Sequence, residues 1–190
     1  MIFHSRSRTK TVYFVYSGEV MLYNLTKHGN RKVIFILGKG QLLNQSIVSK
    51  KPNALFCEAA CPVKVIEIAE EQFLQLMEQS HALIRAVLRE YERNLWRMGH
   101  QLKNTTGNMQ MERKIAAKLW KLGRDFGVDT EDGVMIDIDL TITLMADLVG
   151  APRENVSRAC KVLTDRGLIR YGNKRFILTD SDGLAEFYKM

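Results

Sequence analysis

Three cysteines and three prolines among 190 residues, and no long apolar run, already narrow what this chain can be. A small, odd number of thiols argues against a disulfide scaffold and for a reducing compartment. Val33–Leu37 is typical of the longest apolar runs, far below the roughly 18–20 residues of a membrane span. Met1 is followed by His4, Arg6, Arg8 and Lys10 without an apolar core, so a secretory signal is not expected and a cytoplasmic location is. No nucleophile elbow, P-loop, HExxH motif or dinucleotide fingerprint occurs, and no enzymatic activity is expected. Internal repeats and low-complexity segments are also missing. What is present is a basic, soluble composition: 28 Lys+Arg against 21 Asp+Glu, net charge +7, 46% apolar residues.

A basic protein suggests a polyanionic partner only where its charge is concentrated. Residues 1–52 carry nine bases and one acid, residues 53–110 are close to neutral, and residues 111–190 carry thirteen of each. The balanced last part hides two blocks. Residues 125–147 hold seven acids and no base, whereas residues 153–175 hold seven bases and two acids, a local +5.

From Thr11 to Ile68, short β-branched and aromatic runs alternate with turn residues. Val12–Tyr16, Val20–Tyr23, Val33–Leu37, Ala54–Ala60 and Val63–Ile68 read as strands, with Ser17-Gly18 and Lys27–Asn30 as turns. Such spacing predicts a small antiparallel barrel or sandwich. Helical periodicity begins at Glu70, and Ser80 is a candidate N-cap for a second, longer helix. There Ile84, Leu88, Tyr91, Leu95, Met98 and Leu102 are spaced 4, 3, 4, 3 and 4, a heptad seam. Such a helix packs on its own barrel or forms a dimer coiled coil; its length favours the dimer, and Trp96, off the seam, could pack back on the barrel. Asn104–Asn108 reads as a hinge around Gly107. Met111–Phe126 is another amphipathic helix, 125–133 a loop, and Val134–Ile138 a short strand.

Thr141–Leu168 carries the chemistry. Thr141 caps a helix with Leu144, Met145, Leu148 and Val149 inward, and Ala146 permits close crossing by a neighbour. Gly150-Ala151-Pro152 turns into a second helix with Val156, Cys160 and Leu163 inward. Arg153, Glu154, Ser157, Arg158 and Lys161 point outward, Gly167 ends the helix, and residues 168–178 read as a two-stranded wing. A helix pair alone fits a solvated bundle equally well. The capped first helix, the tight turn, the wing and the local +5 favour a helix-turn-helix on double-stranded DNA. Arg158 can pair with guanine O6/N7, Glu154 can accept from cytosine N4, and Ser157 can reach a base or phosphate. Thr141, Lys161, Arg170, Lys174 and Arg175 suit phosphates.

Leu140-Thr141, Ala146, Gly150, Arg153-Glu154-x-Val156-Ser157-Arg158 and Gly167-Leu168-Ile169 together resemble the winged helix of the cyclic-AMP receptor protein/FNR superfamily. Val12–Val15 with Ser17–Val20, and Gly38-x-Gly40, are similar to its early barrel strands and the turn before its ligand cassette. The resemblance implies an α+β protein. Residues 1–80 would form an antiparallel β-barrel (a cupin-like jelly roll of cyclic-nucleotide-binding type), 81–108 a dimerisation helix and hinge, and 109–190 a winged helix-turn-helix. It implies a homodimeric transcription regulator that meets RNA polymerase, with Arg153, Glu154, Ser157 and Arg158 reading TTGAT-like half-sites of a palindrome. It also implies that the chain starts inside the barrel, with Ile2-Phe3-His4 at the second strand region.

Three features depart from the family pattern or stand beside it. Asn44-Gln45 and Asn53-Ala54-Leu55 replace the Gly-Glu and Arg-Ser/Thr-Ala that hold the ribose and cyclic phosphate, so cyclic AMP is not the expected effector. Cys57, Cys61 and Cys160 are one thiol short of the four an FNR-type iron–sulfur cluster needs. Cys57 and Cys61 could form a redox pair or half a metal site, but space-filling thiols are commoner. His4, His28, His81 and His100 are scattered; packing or surface roles are favoured over haem ligation. No metal or cofactor is expected. The effector is open, an apolar acid beside Tyr13, Phe14 and Phe35 being one guess. The rival reading is a small-molecule or haem-binding sensor whose DNA binding is secondary or lost.

Overall fold

The computed structural model describes residues 1–105 and 109–189. The chain divides into two compact units, one built from Met1–Gly29 and Val33–Lys103, the other essentially from residue 104 onward.

The first unit contains five strands, β1 (Thr11–Ser17), β2 (Val20–Leu25), β3 (Arg31–Leu37), β4 (Phe56–Ala59) and β5 (Lys64–Ala69). They form two antiparallel sheets, β1-β5 and β3-β2-β4. A bridge from Phe14 to Leu42 extends the free edge of β1, and one from Phe3 to Cys57 extends β4. Alternating side chains Val15, Val20, Leu22, Phe35, Leu37, Leu43 and Cys57 fill the space between the sheets. Gly18 makes the β1–β2 turn at φ +81°, and a Cβ there would lie 2.5 Å from the Pro62 carbonyl oxygen. Only glycine meets both conditions.

Two helices complete this unit: α1 (Glu70–Gln79) and α2 (His81–Thr105). Ser80 separates them as expected, its Oγ accepting from the Leu83 N–H at 3.2 Å. Phe73 of α1 and Val87 of α2 are buried with Val12, Leu42 and Ile47, and Leu83 and Tyr91 pack against the same cluster. Burying a side chain such as Phe73 contributes about 1.5–3 kcal/mol. On the flank of α2 beside that packed face, Leu88, Leu95, Met98 and Leu102 are exposed by 54%, 72%, 45% and 63%.

The heptad reading of α2 needs two corrections. Val87 lies outside the seam yet is buried, and Tyr91, inside the seam, packs on the barrel. A 3.6-residue helix drifts about 20° per heptad against a 3.5-residue seam, so one straight face cannot keep every seam residue. Trp96 does not turn back; it is exposed and lies against His100 with ring centroids 3.9 Å apart. The predicted hinge at Gly107 lies outside the described residues.

The second unit comprises α3 (Met111–Phe126), β6 (Gly127–Thr130), β7 (Gly133–Ile136), α4 (Ile142–Val149), α5 (Arg153–Asp165), β8 (Ile169–Gly172), β9 (Arg175–Leu178) and α6 (Ser181–Lys189). Residues 125–133, expected as a loop, instead finish α3 and form β6 and a hairpin turn. Every residue of β6 is exposed, so pairing to β7 through the backbone left no apolar alternation to read. The wing is one edge of a four-stranded sheet, β6-β7-β9-β8, rather than an isolated pair. Helix α6, also unexpected, buries Leu184 and Ala185 and packs against α3.

Candidate functional site

Helix α4 starts at Thr141, whose hydroxyl oxygen accepts from the Leu144 N–H at 3.0 Å, a cap contributing about 1 kcal/mol. It ends at Gly150, left-handed at φ 72°, with its N–H donating to the Ala146 carbonyl. That reversal delivers Pro152, and the Pro152 carbonyl accepts from Asn155 and Val156 to open α5. Val156, Ala159, Cys160 and Leu163 of α5 are buried. The 3.6-residue period then puts Arg153, Glu154, Ser157, Arg158 and Lys161 on the outer face, all of them exposed. The four predicted base-reading residues therefore share the first two turns of one helix. Asn155 escaped the sequence reading: its Oδ1 accepts from Arg158 Nη2 at 2.6 Å, fixing the guanidinium against its own helix. The i, i+3 spacing of an Asn and an Arg was the available signal.

The wing turns through Asn173 and Lys174, both with positive φ (50° and 59°), the geometry of a two-residue hairpin that matches strand twist. Lys174 stands at the tip, between the paired Gly172 and Arg175. The flanking arginines are not free charges. Arg170 pairs with Asp132 at 2.5 Å, and Arg175 pairs with Asp137 and, at 3.8 Å, with Asp139. The acidic block thus folds beside the basic one and neutralises part of it, a relation invisible in the linear charge count.

In the first unit, a cavity of about 420 Å³ opens between the barrel and α2. Leu22, Phe35 and Leu43 line one side and Leu88, Leu95 and Met98 the other. Tyr13 and Phe14, grouped with Phe35 in the guess of an apolar acid, are not among its lining residues. The residues at the nucleotide-holding positions are engaged elsewhere. Asn44 Oδ1 accepts from the Tyr13 N–H at 2.7 Å, and its Nδ2 donates to the Thr11 carbonyl at 2.9 Å. Asn53, 3% exposed, donates from Nδ2 to the Ser7 carbonyl. Among the described residues no cationic side chain lines the cavity, and Glu92 does. These residues do not fit a cyclic phosphate, whose charge requires a cation or several free N–H groups.

The thiols do not fit an iron–sulfur cluster. Cys57 and Cys160 are buried in the cores of different units, and burial pushes them up to about 12 and about 11. Cys61 donates to Glu19 Oε2 at 2.9 Å. All three are free cysteines.

A capped helix, a left-handed glycine turn, an outward polar helix and a wing define a winged helix-turn-helix protein, here joined to a β-sheet domain with a ligand-sized cavity. Residues 1–80 match the family model of the cyclic nucleotide-binding domain, and residues 113–187 that of the Crp-like helix-turn-helix domain. The chain is 25% identical over 175 residues to the CRP-like cAMP-activated global transcriptional regulator of Mycobacterium tuberculosis, covering 92% of this chain and 78% of that protein. It is 24% identical over 177 residues to the global nitrogen regulator of Nostoc sp., covering 92% and 79%. The fold is similar to that of FixK2 from Bradyrhizobium japonicum, with a TM-score of 0.83 at 19% identity over 97% of this chain and 90% of that one. The chain belongs to the cyclic-AMP receptor protein/FNR superfamily of transcription regulators.

Proposed function

We propose that this protein is a homodimeric, sequence-specific DNA-binding transcription regulator whose β domain senses a small effector other than cyclic AMP. The observation that carries the reading is the outer face of α5. Arg153, Glu154, Ser157 and Arg158 are exposed there, on a helix whose inner face is buried. A helix N-terminus with short and forked polar side chains enters the major groove and reaches base edges.

Thr141, Lys161, Arg170, Lys174 and Arg175 are assigned to phosphates. The Thr141 oxygen accepts within the protein, which leaves its O–H to donate outward. The dimer is assigned to Ile84, Leu88, Tyr91, Leu95, Met98 and Leu102. The exposure of four large apolar side chains in that set supports it, because a row of this kind favours a covering partner. The two recognition helices would then meet successive major grooves about 34 Å apart, on a palindrome of TTGAT-like half-sites. Effector binding beside α2 would bias that helix between two arrangements. RNA polymerase is the further partner such a regulator meets.

A mobility-shift assay at moderate salt tests this. The protein is expected to prefer a TTGAT-type palindrome over a scrambled duplex of equal composition. Equal binding to both contradicts the reading.

A further inference from the structure

The largest charge excess of the chain lies in the β domain, away from α5 and the wing. Residues 1–57 hold nine bases and one acid, Glu19, and that acid is turned to Cys61, whose thiol donates to Glu19 Oε2 at 2.9 Å. Two stretches of this region are drawn together by hydrogen bonds. The Arg6 N–H donates to the Asn53 carbonyl at 2.7 Å, and the Ser7 carbonyl accepts from the Asn53 N–H at 2.9 Å and from its Nδ2 at 3.1 Å. Ser5 Oγ donates to the Ala54 carbonyl at 3.1 Å. Asn53 is therefore a clasp. Arg6 and Arg8 flank Ser7 on one side of it, and Lys50 and Lys51 lead into it on the other. Lys51 is itself held, its N–H donating to Ser46 Oγ at 3.2 Å.

All four cations are exposed, and among the described residues none of their side chains makes an ion pair or a hydrogen bond. Lys10 differs, because its carbonyl accepts from the Glu70 N–H and an acidic residue stands beside it. Arg6 and Lys50 adopt left-handed backbone, with φ of 63° and 53°, a region that glycine and asparagine occupy at less cost. Folding does not account for a long cation at either position, and strain of this kind gathers where a site has a use. Like charges held together also repel until an anion meets them.

A protein partner would need a cluster of apolar anchors at the centre of such a surface. These two stretches expose large apolar side chains only singly, at Met1 (56%) and Val48 (70%). A phosphodiester backbone asks for what is present: several unpaired cations at the surface, which release counterions from the duplex as they meet it. The arginine fork adds two parallel N–H groups for phosphate oxygens.

We propose that Arg6, Arg8, Lys50 and Lys51 form a second, sequence-independent site for the phosphate backbone of double-stranded DNA, carried by the β domain and separate from α5. The site adds affinity and salt dependence but no base preference. It rests on the DNA-binding reading above.

Fluorescence anisotropy of the full chain on a random duplex of about 60 base pairs, across a salt series, tests it. Arg6→Gln, Arg8→Gln, Lys50→Gln and Lys51→Gln combined should lower the slope of log affinity against log salt by about 0.9 for each cation that meets a phosphate, about 2 or more in all, and weaken binding at least about fivefold. Lys50→Gln with Lys51→Gln alone, confined to one loop, should give roughly half that effect and keeps the test available if circular dichroism shows the larger variant unfolded. Lys39→Gln with Lys64→Gln removes as much charge from exposed positions elsewhere on the same domain and should leave the slope nearly unchanged. The affinity ratio between a TTGAT-type palindrome and a scrambled duplex should stay constant in every variant. An unchanged slope in the fourfold variant overturns the proposal and leaves the patch to an acidic protein. An equal change in the Lys39 and Lys64 variant, or a loss confined to the palindrome, overturns it too. Failure of the regulator reading registers instead as equal binding of palindrome and scrambled duplex by the unaltered chain, with the slope difference on random duplex still present.

Discussion

Arg158 Nη2 donates to Asn155 Oδ1 at 2.6 Å, one helical turn back on the outer face of α5. The bond holds a forked donor near the surface that DNA would approach, and so lowers the entropy lost when two of its N–H groups meet a base. Arg158→Ala is expected to cost about 1–3 kcal/mol at one guanine position and to flatten preference there. Asn155→Ala should cost less and keep the preference, since the base-contacting group survives. Titration of operators altered symmetrically at that base pair separates the two outcomes.

The wing makes a contrasting prediction. Arg170 and Arg175 are paired to Asp132, Asp137 and Asp139, so DNA phosphates must compete with carboxylates for them. Exposed pairs contribute little to stability, about 0–1 kcal/mol, and their removal is tolerated. Asp132→Asn with Asp137→Asn should raise affinity for all sequences and steepen the salt slope. Lys174→Ala should lower affinity for all sequences alike and reduce the slope by about 1. Fluorescence anisotropy on random duplex across a salt series measures both, and a base-specific effect of Lys174→Ala contradicts the wing assignment.

Leu95 is 72% exposed at the centre of the apolar row on α2. Leu95→Glu places a charge in the proposed seam without disturbing the buried face of the helix. Sedimentation is expected to show a folded monomer, and an unchanged dimer would exclude this face as the interface.

Burial holds Cys57 near 12 and Cys160 near 11, above the ordinary 9.0 of a thiol. Between those values the unfolded chain loses protons that the folded chain keeps. The stability present below about pH 9 therefore falls as pH rises toward 11–12. Tyr91, raised from 10.0 to about 12, acts in the same direction. Denaturation midpoints between pH 7 and 11 should decline from about pH 9 upward. A disulfide reagent at pH 8 should modify half-buried Cys61 before either core thiol.

The sequence made the strands and the recognition helix legible for one physical reason: each buries a periodic face. Val33, Phe35 and Leu37, or Val156, Cys160 and Leu163, announce their element because burial selects apolar residues at the period of the backbone. Strand β6 buries nothing, so Gly127–Thr130 read as a loop although its backbone is paired to β7. The outward residues of α5 followed from the inward ones. The Asp132, Asp137 and Asp139 pairings did not, because they depend on which hairpin folds beside which. The cavity was equally hidden. Leu22, Leu43 and Leu95 are distant in sequence, and their convergence on one cavity is a property of the fold alone.

The central claim is that two copies present two α5 helices to DNA at one fixed separation. Measuring affinity for two half-sites as their spacing is varied tests it most directly. The account predicts a maximum at one spacing and a loss of at least about tenfold when five base pairs, half a helical turn, are inserted, because one recognition helix then faces away from its groove. Affinity that is indifferent to the insertion would contradict it.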